Sequence, residues 1–451
     1  MCCARSTGTR LSQGGSMAIA TRPPTSRRSV FNARTLQDVI DEIQRVYLRY
    51  SIPFVIAYSG GKDSTLALLL WWLAIAALPT EQRTKPIHII SSNTGVEQPD
   101  LIARLKTSLV RINQAANVQG LPFEAVEVGP PIIDSFLVCL IGKRWSAPQQ
   151  TTRWCTTRLK TQPNTRYVKS VIADNGRCIV VLGVRADESV SWAESIERHR
   201  VPGSLLGING ELRGAYTYAP VVDFTSDDVW TVLLQQHLTP WGDDNHELLT
   251  MYRQSGGGDC PIIVGQVDRP SCGTGRMGCW VCPLPTRNAS LESLVDRHEY
   301  LEPLMDFYLL LKRTTVPANK LEYRDWRRSA AGEILMGTRS KQPTPGKYLM
   351  PFAQRMLREL LTAQQSIRED GPDPQLTLIT IDELHAINHL WRHDPYYPQD
   401  RDVALEIYAE VTGETLPPWS AADGALLERP QLRKPGNDLP MQLSLDELFA
   451  R

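Results

Sequence analysis

The hexapeptide Ser59-Gly60-Gly61-Lys62-Asp63-Ser64 lies between two apolar runs, Ile52-Pro53-Phe54-Val55-Ile56-Ala57-Tyr58 and Thr65-Leu66-Ala67-Leu68-Leu69-Leu70. The first run suits a buried parallel strand. The second has no Gly or Pro until Pro79 and suits a buried helix. Two glycines between strand and helix permit a tight turn whose amides point outward. Those amides and the helix N-terminus together make a seat for a phosphate or pyrophosphate. Ser59, Ser64 and Thr65 add hydroxyl donors, Lys62 a cation, and Asp63 a carboxylate for Mg2+. The spacing is not the Gly-x-x-x-x-Gly-Lys of kinase-type phosphate loops. Six specified positions in this flanking context weigh against an ordinary glycine-rich βα turn.

The surrounding pattern is that of an α/β protein. A helix from about Leu36 to Tyr50 precedes the first strand. Ile87-His88-Ile89-Ile90 reads as a second strand and leads into Ser91-Ser92-Asn93-Thr94-Gly95-Val96-Glu97. A helical pattern from Asp100 to Asn117 follows, then strand-like Phe123–Val128 and, further on, Cys178–Val184 with its terminal Gly turn. Alternating strands and helices predict a parallel twisted sheet with helices on both faces. Ligands then bind at the carboxyl ends of the strands, where these loops converge. Beyond Pro283 helical patterns dominate. Residues 343–351 read as a Pro/Gly-containing linker, followed by an amphipathic stretch at Phe352–Arg368, a capped helix starting near Thr380-Ile381-Asp382-Glu383, and a helix from Asp402 to Thr412. The expected organisation is a disordered leader at 1–30, with Met17 as an alternative start, and a nucleotide-binding domain with a Cys-rich loop region at 31–290. A helical extension at 291–342 and a linker with a mainly helical C-terminal part at 343–451 complete it, and the segment from Leu416 onward is expected to be partly disordered.

The 451 residues carry 49 basic and 49 acidic side chains, so global charge gives no argument for a nucleic-acid partner and any such argument must be local. The longest apolar stretch, Leu66 to Leu78, is too short to cross a bilayer, and no secretory signal is visible. Nine cysteines without an export signal point to a reducing, cytoplasmic setting, where clustered thiols mean metal or sulfur chemistry rather than disulfides.

The thiols cluster at Cys272-Gly-Thr-Gly-Arg-Met-Gly-Cys279-Trp-Val-Cys282-Pro283. Thiolates this close in a flexible turn ligate one metal centre, and Pro directly after the last Cys is frequent at iron–sulfur clusters. A fourth ligand is needed, and Cys260 and Cys155 are the two candidates. Structural zinc and a redox dithiol at Cys279/Cys282 are competing readings. The neighbouring phosphate loop favours a [4Fe–4S] cluster. Cys139 and Cys178 sit in apolar runs and suit core packing.

From Ser135 to Ala173 there is no Asp or Glu, while Lys143, Arg144, Arg153, Arg158, Lys160, Arg166 and Lys169 are interleaved with Trp145, Trp154 and Tyr167. Such a segment predicts a local positive field for a polyanion, with aromatics to stack on bases. The alternative is a solvated loop with incidental charge. Arg185, just beyond the strand ending at Val184, suits a phosphate or a leaving pyrophosphate, with Arg198 and Arg200 following. Asp223 and Trp230 read as structural, with Thr225 or Ser226 capping a helix that buries Trp230.

Together these motifs resemble the phosphoadenosine phosphosulfate reductase superfamily, and the loop at 59–64 resembles the PP-loop signature of ATP pyrophosphatases, which cleave ATP between its α and β phosphates. Within that superfamily the resemblance is to the DndC family of bacterial DNA phosphorothioation. It rests on residues 59–64, 92–97, 140–143, 153–160, 183–189 and 271–282. It covers roughly residues 35–330, and the C-terminal helices more weakly. Two departures separate the chain from assimilatory sulfonucleotide reductases: Thr156 follows Cys155 where those enzymes have a Cys-Cys pair, and no cysteine follows Cys282.

The resemblance implies ATP, Mg2+ and a [4Fe–4S] cluster as cofactors and DNA as substrate. A cysteine desulfurase would supply sulfur, with DndD- and DndE-type proteins as partners and no membrane. It further implies that Ser59, Gly60, Gly61, Lys62, Asp63, Ser64, Asn93, Glu97 and Gly183 hold the nucleotide, with Asp63 and Glu97 on Mg2+. Lys62, Asp63 and Arg185 would be catalytic. Cys155, Cys272, Cys279 and Cys282 would ligate the cluster, leaving Cys260 as a catalytic persulfide carrier or alternate ligand. A tRNA thiolase, a sulfonucleotide reductase-like enzyme and a non-catalytic DNA-binding iron–sulfur subunit are the alternatives.

Overall fold

The computed structural model describes residues 28–150, 152–187, 203–210, 212–254, 278–329, 331–338 and 341–417, with 419, 424, 427 and 428. Cys260, Cys272, Arg198 and Arg200 lie outside these residues, as does nearly all of the chain beyond 417.

Six strands form one sheet: β1 (Phe54–Ala57), β2 (Ile87–Ser92), β3 (Phe123–Val128), β4 (Cys178–Val181), β5 (Gly207–Ile208) and β6 (Ala215–Tyr218). Their order is β3-β2-β1-β4-β6-β5, and every pairing is parallel except the short edge pair β5–β6. The expected α/β fold with a parallel sheet is what the chain forms. Phe54 stands opposite Ile87 on one side and Ile179 on the other, so β1 is central. The order reverses between β1 and β4, which opens a crevice at their carboxyl ends.

The period-2 alternation of side chains sorts the sheet into two cores. Phe54, Ile56, Ile87, Ile89, Ile179, Val181, Tyr216 and Tyr218 face a large core with α1 (Leu36–Arg49), α2 (Lys62–Ala76) and α3 (Pro99–Val118). Val55, Ile90, Cys178, Val180 and Ala215 face a smaller core with α4 (Gln162–Asn175). Helix α2 is buried almost all round, as its unbroken apolar run requires. Helix α1 starts on a capping box between Thr35 and Asp38. Thr225 and Asp228 make another at the helix Ser226–Gln235, which buries Trp230 as expected.

A second large core lies beyond the sheet. It joins Phe136–Ile141, Trp280 and Val281 to the helices Glu302–Thr315, Met350–Asp370, Ile381–Arg392 and Val403–Thr412. The segment Val138–Gly142 is π-helical and presses on the C-terminal helices: a Cβ on Gly142 would stand 2.9 Å from Leu390. Trp391, fully buried, donates its indole N–H to the carbonyl of Ile141 at 3.2 Å.

One expectation is corrected here. Residues 343–351 are no linker, because β8 (Pro345–Tyr348) pairs antiparallel with β7 (Arg324–Trp326) and Tyr348 is fully buried. The acid-free basic segment, in turn, is neutralised in part from outside its own window, while Arg153 and Lys160 are exposed and make no ion pair among the described residues. Lys143 and Arg158 reach the buried Asp134 at 3.0 and 3.5 Å. Arg144, buried and held at φ +59°, pairs with Asp394 at 2.7 Å and donates to the Tyr348 carbonyl at 2.8 Å. The aromatics are occupied too. Trp154 stacks on Phe136 at 5.2 Å, Trp145 meets Trp154 edge-on, and Tyr167 bonds His88 at 3.1 Å.

Candidate functional site

The loop from Ser59 to Ser64 joins β1 to α2 at the crevice between β1 and β4. Gly60 turns the chain at φ +70°, a conformation that other residues adopt at a cost. The Ser64 hydroxyl closes the loop, accepting from the Ser59 amide at 3.2 Å and donating to the Gly61 carbonyl at 2.9 Å. Gly61 begins α2 with no side-chain cap, so the first-turn amides of Asp63 and Ser64 are left for an anion.

Three charged side chains meet here under cover. Asp63 accepts from Arg185 Nε at 2.6 Å on one carboxylate oxygen and from Lys62 Nζ at 3.0 Å on the other. Only 5%, 11% and 5% of the side chains of Lys62, Asp63 and Arg185 are exposed. Arg185 also reaches the exposed Asp187 at 3.5 Å, so the two buried cations share one buried and one peripheral carboxylate. A phosphate that displaces these carboxylates finds both cations in place. Arg185 reaches this point because β4 ends against the start of α2. A Cβ on Gly183 would stand 2.8–2.9 Å from the Ser64 Cα, the Ser64 nitrogen and the Asp63 carbonyl, so that approach admits only glycine. Arg185 also donates toward the Phe224 carbonyl at 3.4 Å, which fixes its far end.

Tyr252, on the helix Asn245–Gln254, belongs to the same site and was invisible in the sequence. Its hydroxyl accepts from the Lys62 amide at 3.1 Å, and its ring takes the Lys62 ammonium at 5.3 Å. Nothing local in the sequence marks a tyrosine 190 positions from the loop it supports.

The loop after β2 carries the second half of the site. Asn93 donates to Glu127 at 2.9 Å and accepts from the Gly95 amide at 2.8 Å, which sets the turn. Glu97 accepts from the Thr94 amide at 3.0 and 3.2 Å. Glu97 pairs as an isolated antiparallel bridge with Cys279, and the Trp280 amide donates to the Val96 carbonyl at 3.1 Å. The cysteine loop is therefore laced directly onto the loop after β2.

Cys155, Cys279 and Cys282 are free thiols and each is half-buried. Burial pushes the Cys279 thiol up to about 12, with Glu97 and Cys282 adding to the shift and Lys160 opposing it. Burial also raises Cys155, again with Cys282 as a neighbour. Thiolate charges at these positions would repel one another, and a metal centre is what makes several such thiolates compatible in a half-buried site. All three donors are thiols, the soft set that suits iron–sulfur or zinc. Among the described residues no three His, Cys, Asp or Glu side chains close a metal site, and the expected ligand Cys272 lies outside them. Cys139 and Cys178 are fully buried, Cys178 in the smaller apolar core and Cys139 beside Lys143, Asp134 and Arg158.

No family model matches the chain. Among curated proteins it is 22% identical over 200 residues to an uncharacterized protein of Methanocaldococcus jannaschii. That match covers 44% of this chain and 35% of the relative, so the chain spans well under two thirds of the relative's length. Solved structures with some likeness include a phosphoadenylyl-sulfate reductase from Candida auris, with a TM-score of 0.28 over 49% of this chain and 87% of that one. An FMN adenylyltransferase from Candida glabrata scores 0.29 over 49% and 61%. The U34-tRNA thiolase NcsA from Methanococcus maripaludis, solved with its [4Fe-4S] cluster, scores 0.28 over 66% and 84%. All three are 13% identical to this chain, and at such scores they carry no argument. The architecture rests on the strand order itself. Among the described residues no helix is long and apolar enough to cross a membrane.

Proposed function

We propose that the protein is an ATP pyrophosphatase and sulfurtransferase of DNA phosphorothioation, which adenylates a backbone phosphate and replaces one non-bridging oxygen with sulfur. The observation that carries this reading is the bridge between Glu97 and Cys279, which sets thiols beside the crevice holding the Lys62–Asp63–Arg185 group. Two chemistries then share one edge of the sheet.

In this reading the amides of Asp63 and Ser64 hold the β and γ phosphates of ATP. Mg2+ would draw on Asp63, whose carboxylate would exchange Lys62 and Arg185 for the metal. Lys62 and Arg185, so released, neutralise the charge that grows on pyrophosphate as it leaves. A non-bridging oxygen of the DNA phosphate attacks the α-phosphorus, giving an adenylated phosphate and pyrophosphate; without DNA, water attacks the same phosphorus and gives AMP and pyrophosphate. The outer sulfur of a persulfide charged by a cysteine desulfurase would then attack the DNA phosphorus and expel AMP. A second thiol would attack the carrier sulfur of the resulting P–S–S–Cys linkage, releasing the phosphorothioate and leaving a disulfide that an external thiol reduces. Cys155, Cys272, Cys279 and Cys282 would hold a [4Fe–4S] cluster, which supplies a place for sulfur next to the activated phosphate. Cys260 would carry persulfide sulfur, and DndD- and DndE-type proteins would be partners.

The deciding measurement is mass spectrometry of digested DNA from cells with and without the gene, which should find phosphorothioate-linked dinucleotides only with it. Thiolated tRNA nucleosides with unmodified DNA would overturn the DNA assignment. Pyrophosphate release from ATP should vanish in Lys62→Ala; full release in that variant would overturn the loop assignment. Anaerobic protein should contain acid-labile sulfide, and stoichiometric zinc without sulfide would remove the cluster.

A further inference from the structure

The segment that the sequence marks as the polyanion contact spends Lys143, Arg144 and Arg158 inside the protein, and a second group of exposed cations lies elsewhere. From Lys320 to Tyr348 the chain carries seven Lys and Arg against three Asp and Glu, in a protein of zero net charge. This is the stretch that forms the β7–β8 hairpin. Its backbones meet closely: a Cβ on Gly346 would stand 2.7–2.8 Å from the Trp326 carbonyl and the Arg327 nitrogen.

The hairpin's charges divide into internal and free. Asp325 accepts from the Tyr397 hydroxyl at 3.0 Å and the Trp326 amide at 2.7 Å, with Arg328 at 3.8 Å. Arg324 is consumed by the carbonyls of Gly346 and Pro345 at 2.8 and 2.9 Å. Arg327 and Lys341 are exposed and make no ion pair among the described residues, and Glu333 lies on a separate turn closed onto Ser329. Ile334, Leu335 and Met336 are exposed beside them.

The hairpin also adjoins the thiols. Lys320, at its base, donates to Gln149 at 3.4 Å, and Gln150 next door donates to the Leu284 carbonyl at 3.5 Å. Lys312, on the helix leading to the hairpin, donates to the Pro283 carbonyl at 2.8 Å, one residue past Cys282. Arg313 beside it is exposed.

We propose that the β7–β8 hairpin is the surface on which duplex DNA docks, through Arg327, Lys341 and Arg313, with its backbone led toward Cys282. This deepens the proposed function and rests on it. The occupant follows from charge. Free cations ask for a polyanion, and duplex DNA presents one phosphate charge per about 1.7 Å of its axis. Apolar side chains at the tip suit thymine methyls and sugar faces in a groove.

The test measures duplex binding by the full chain across a salt series, together with DNA-independent pyrophosphate release. In the Arg327→Ala/Lys341→Ala variant, affinity at 0.1 M salt should fall at least about tenfold. The slope of log affinity against log salt should become shallower by roughly 1.8, about 0.9 for each lost phosphate contact. Pyrophosphate release should be unchanged, which also shows that the variant is folded. Arg45→Ala, which removes an exposed cation on α1 at the sheet's large core, should leave affinity and slope as they are. If wild type binds and modifies DNA but the double variant keeps the wild-type slope, the hairpin assignment is overturned and the proposed function stands. If wild type binds no duplex, or binds tRNA instead, both are overturned. If Met336→Asp converts a dimer to a monomer with unchanged DNA affinity, the tip serves a second copy of the chain and the docking proposal is overturned.

Discussion

Asp63→Ala tests the central group directly. In the wild type one carboxylate serves two cations, at 2.6 and 3.0 Å, and all three side chains are nearly buried. Removing it leaves the buried Lys62 without its carboxylate and Arg185 with only the exposed Asp187 at 3.5 Å. Breaking a buried pair in this way costs about 3–5 kcal/mol, mostly from the uncompensated charge left behind. Denaturant unfolding should show that loss as a lower midpoint at an unchanged slope. The same change frees the two cations for another anion. Pyrophosphate without Mg2+ should therefore stabilise the variant more than the wild type, in which it must displace the carboxylate. At a hundredfold excess over its dissociation constant it would return about 2.7 kcal/mol. Mg2+-dependent pyrophosphate release should be lost throughout. A variant unfolding at the wild-type midpoint, or equal stabilisation of both proteins by pyrophosphate, would refute the reasoning.

Gly183→Ala forces a methyl into the backbone of Asp63 and Ser64, which has no flexible end to yield; nucleotide binding should fall at least about tenfold, and calorimetric titration showing wild-type affinity would contradict that close approach. Tyr252→Phe keeps the ring over Lys62 but removes the acceptor for its amide. It should cost about 0.5–1.5 kcal/mol in unfolding experiments, the ordinary net value of one hydrogen bond, and no change would remove Tyr252 from the site. Burial raises the Tyr58 hydroxyl from 10.0 to about 12 and the Cys139 thiol from 9.0 to about 12. Both groups fold in their neutral forms, so their contribution is complete below pH 9 and is lost as pH rises through about 12. Alkaline unfolding followed by circular dichroism should become cooperative in that window; loss of structure already at pH 8 would exclude these groups as the cause.

What the sequence revealed follows from how local each signal is. The phosphate loop and its flanking strand and helix are contiguous, so spacing and apolar runs are enough to place them. The same holds for the capping boxes at Thr225 and Thr380, where both partners lie within one turn. In the basic segment the sequence hides which cations are spent, because the counter-charges of Lys143, Arg144 and Arg158 come from outside it: Asp134 precedes the window, and Asp394 is 250 positions from Arg144. The hairpin strand at Pro345–Tyr348 looks like a linker because two of its four residues are Pro and Gly, and only its pairing with Arg324–Trp326 makes it a strand. Glu97 lies in a motif that suggests metal binding, yet a backbone bridge to Cys279, nearly two hundred residues on, decides its surroundings.

The buried link between Arg144 and Asp394 bears on how this chain can be divided. Any shortened form ending before the helix Ile381–Arg392 keeps the guanidinium and loses its carboxylate, along with the indole that seats on Ile141. It also strips the apolar cover from the π-helical turn at 138–142. Such a fragment would retain the whole nucleotide loop and still be a poor reagent, sticky and short-lived, and its inactivity would say nothing about catalysis. The last third of the chain is in this sense the foundation on which the thiol side of the sheet is poured.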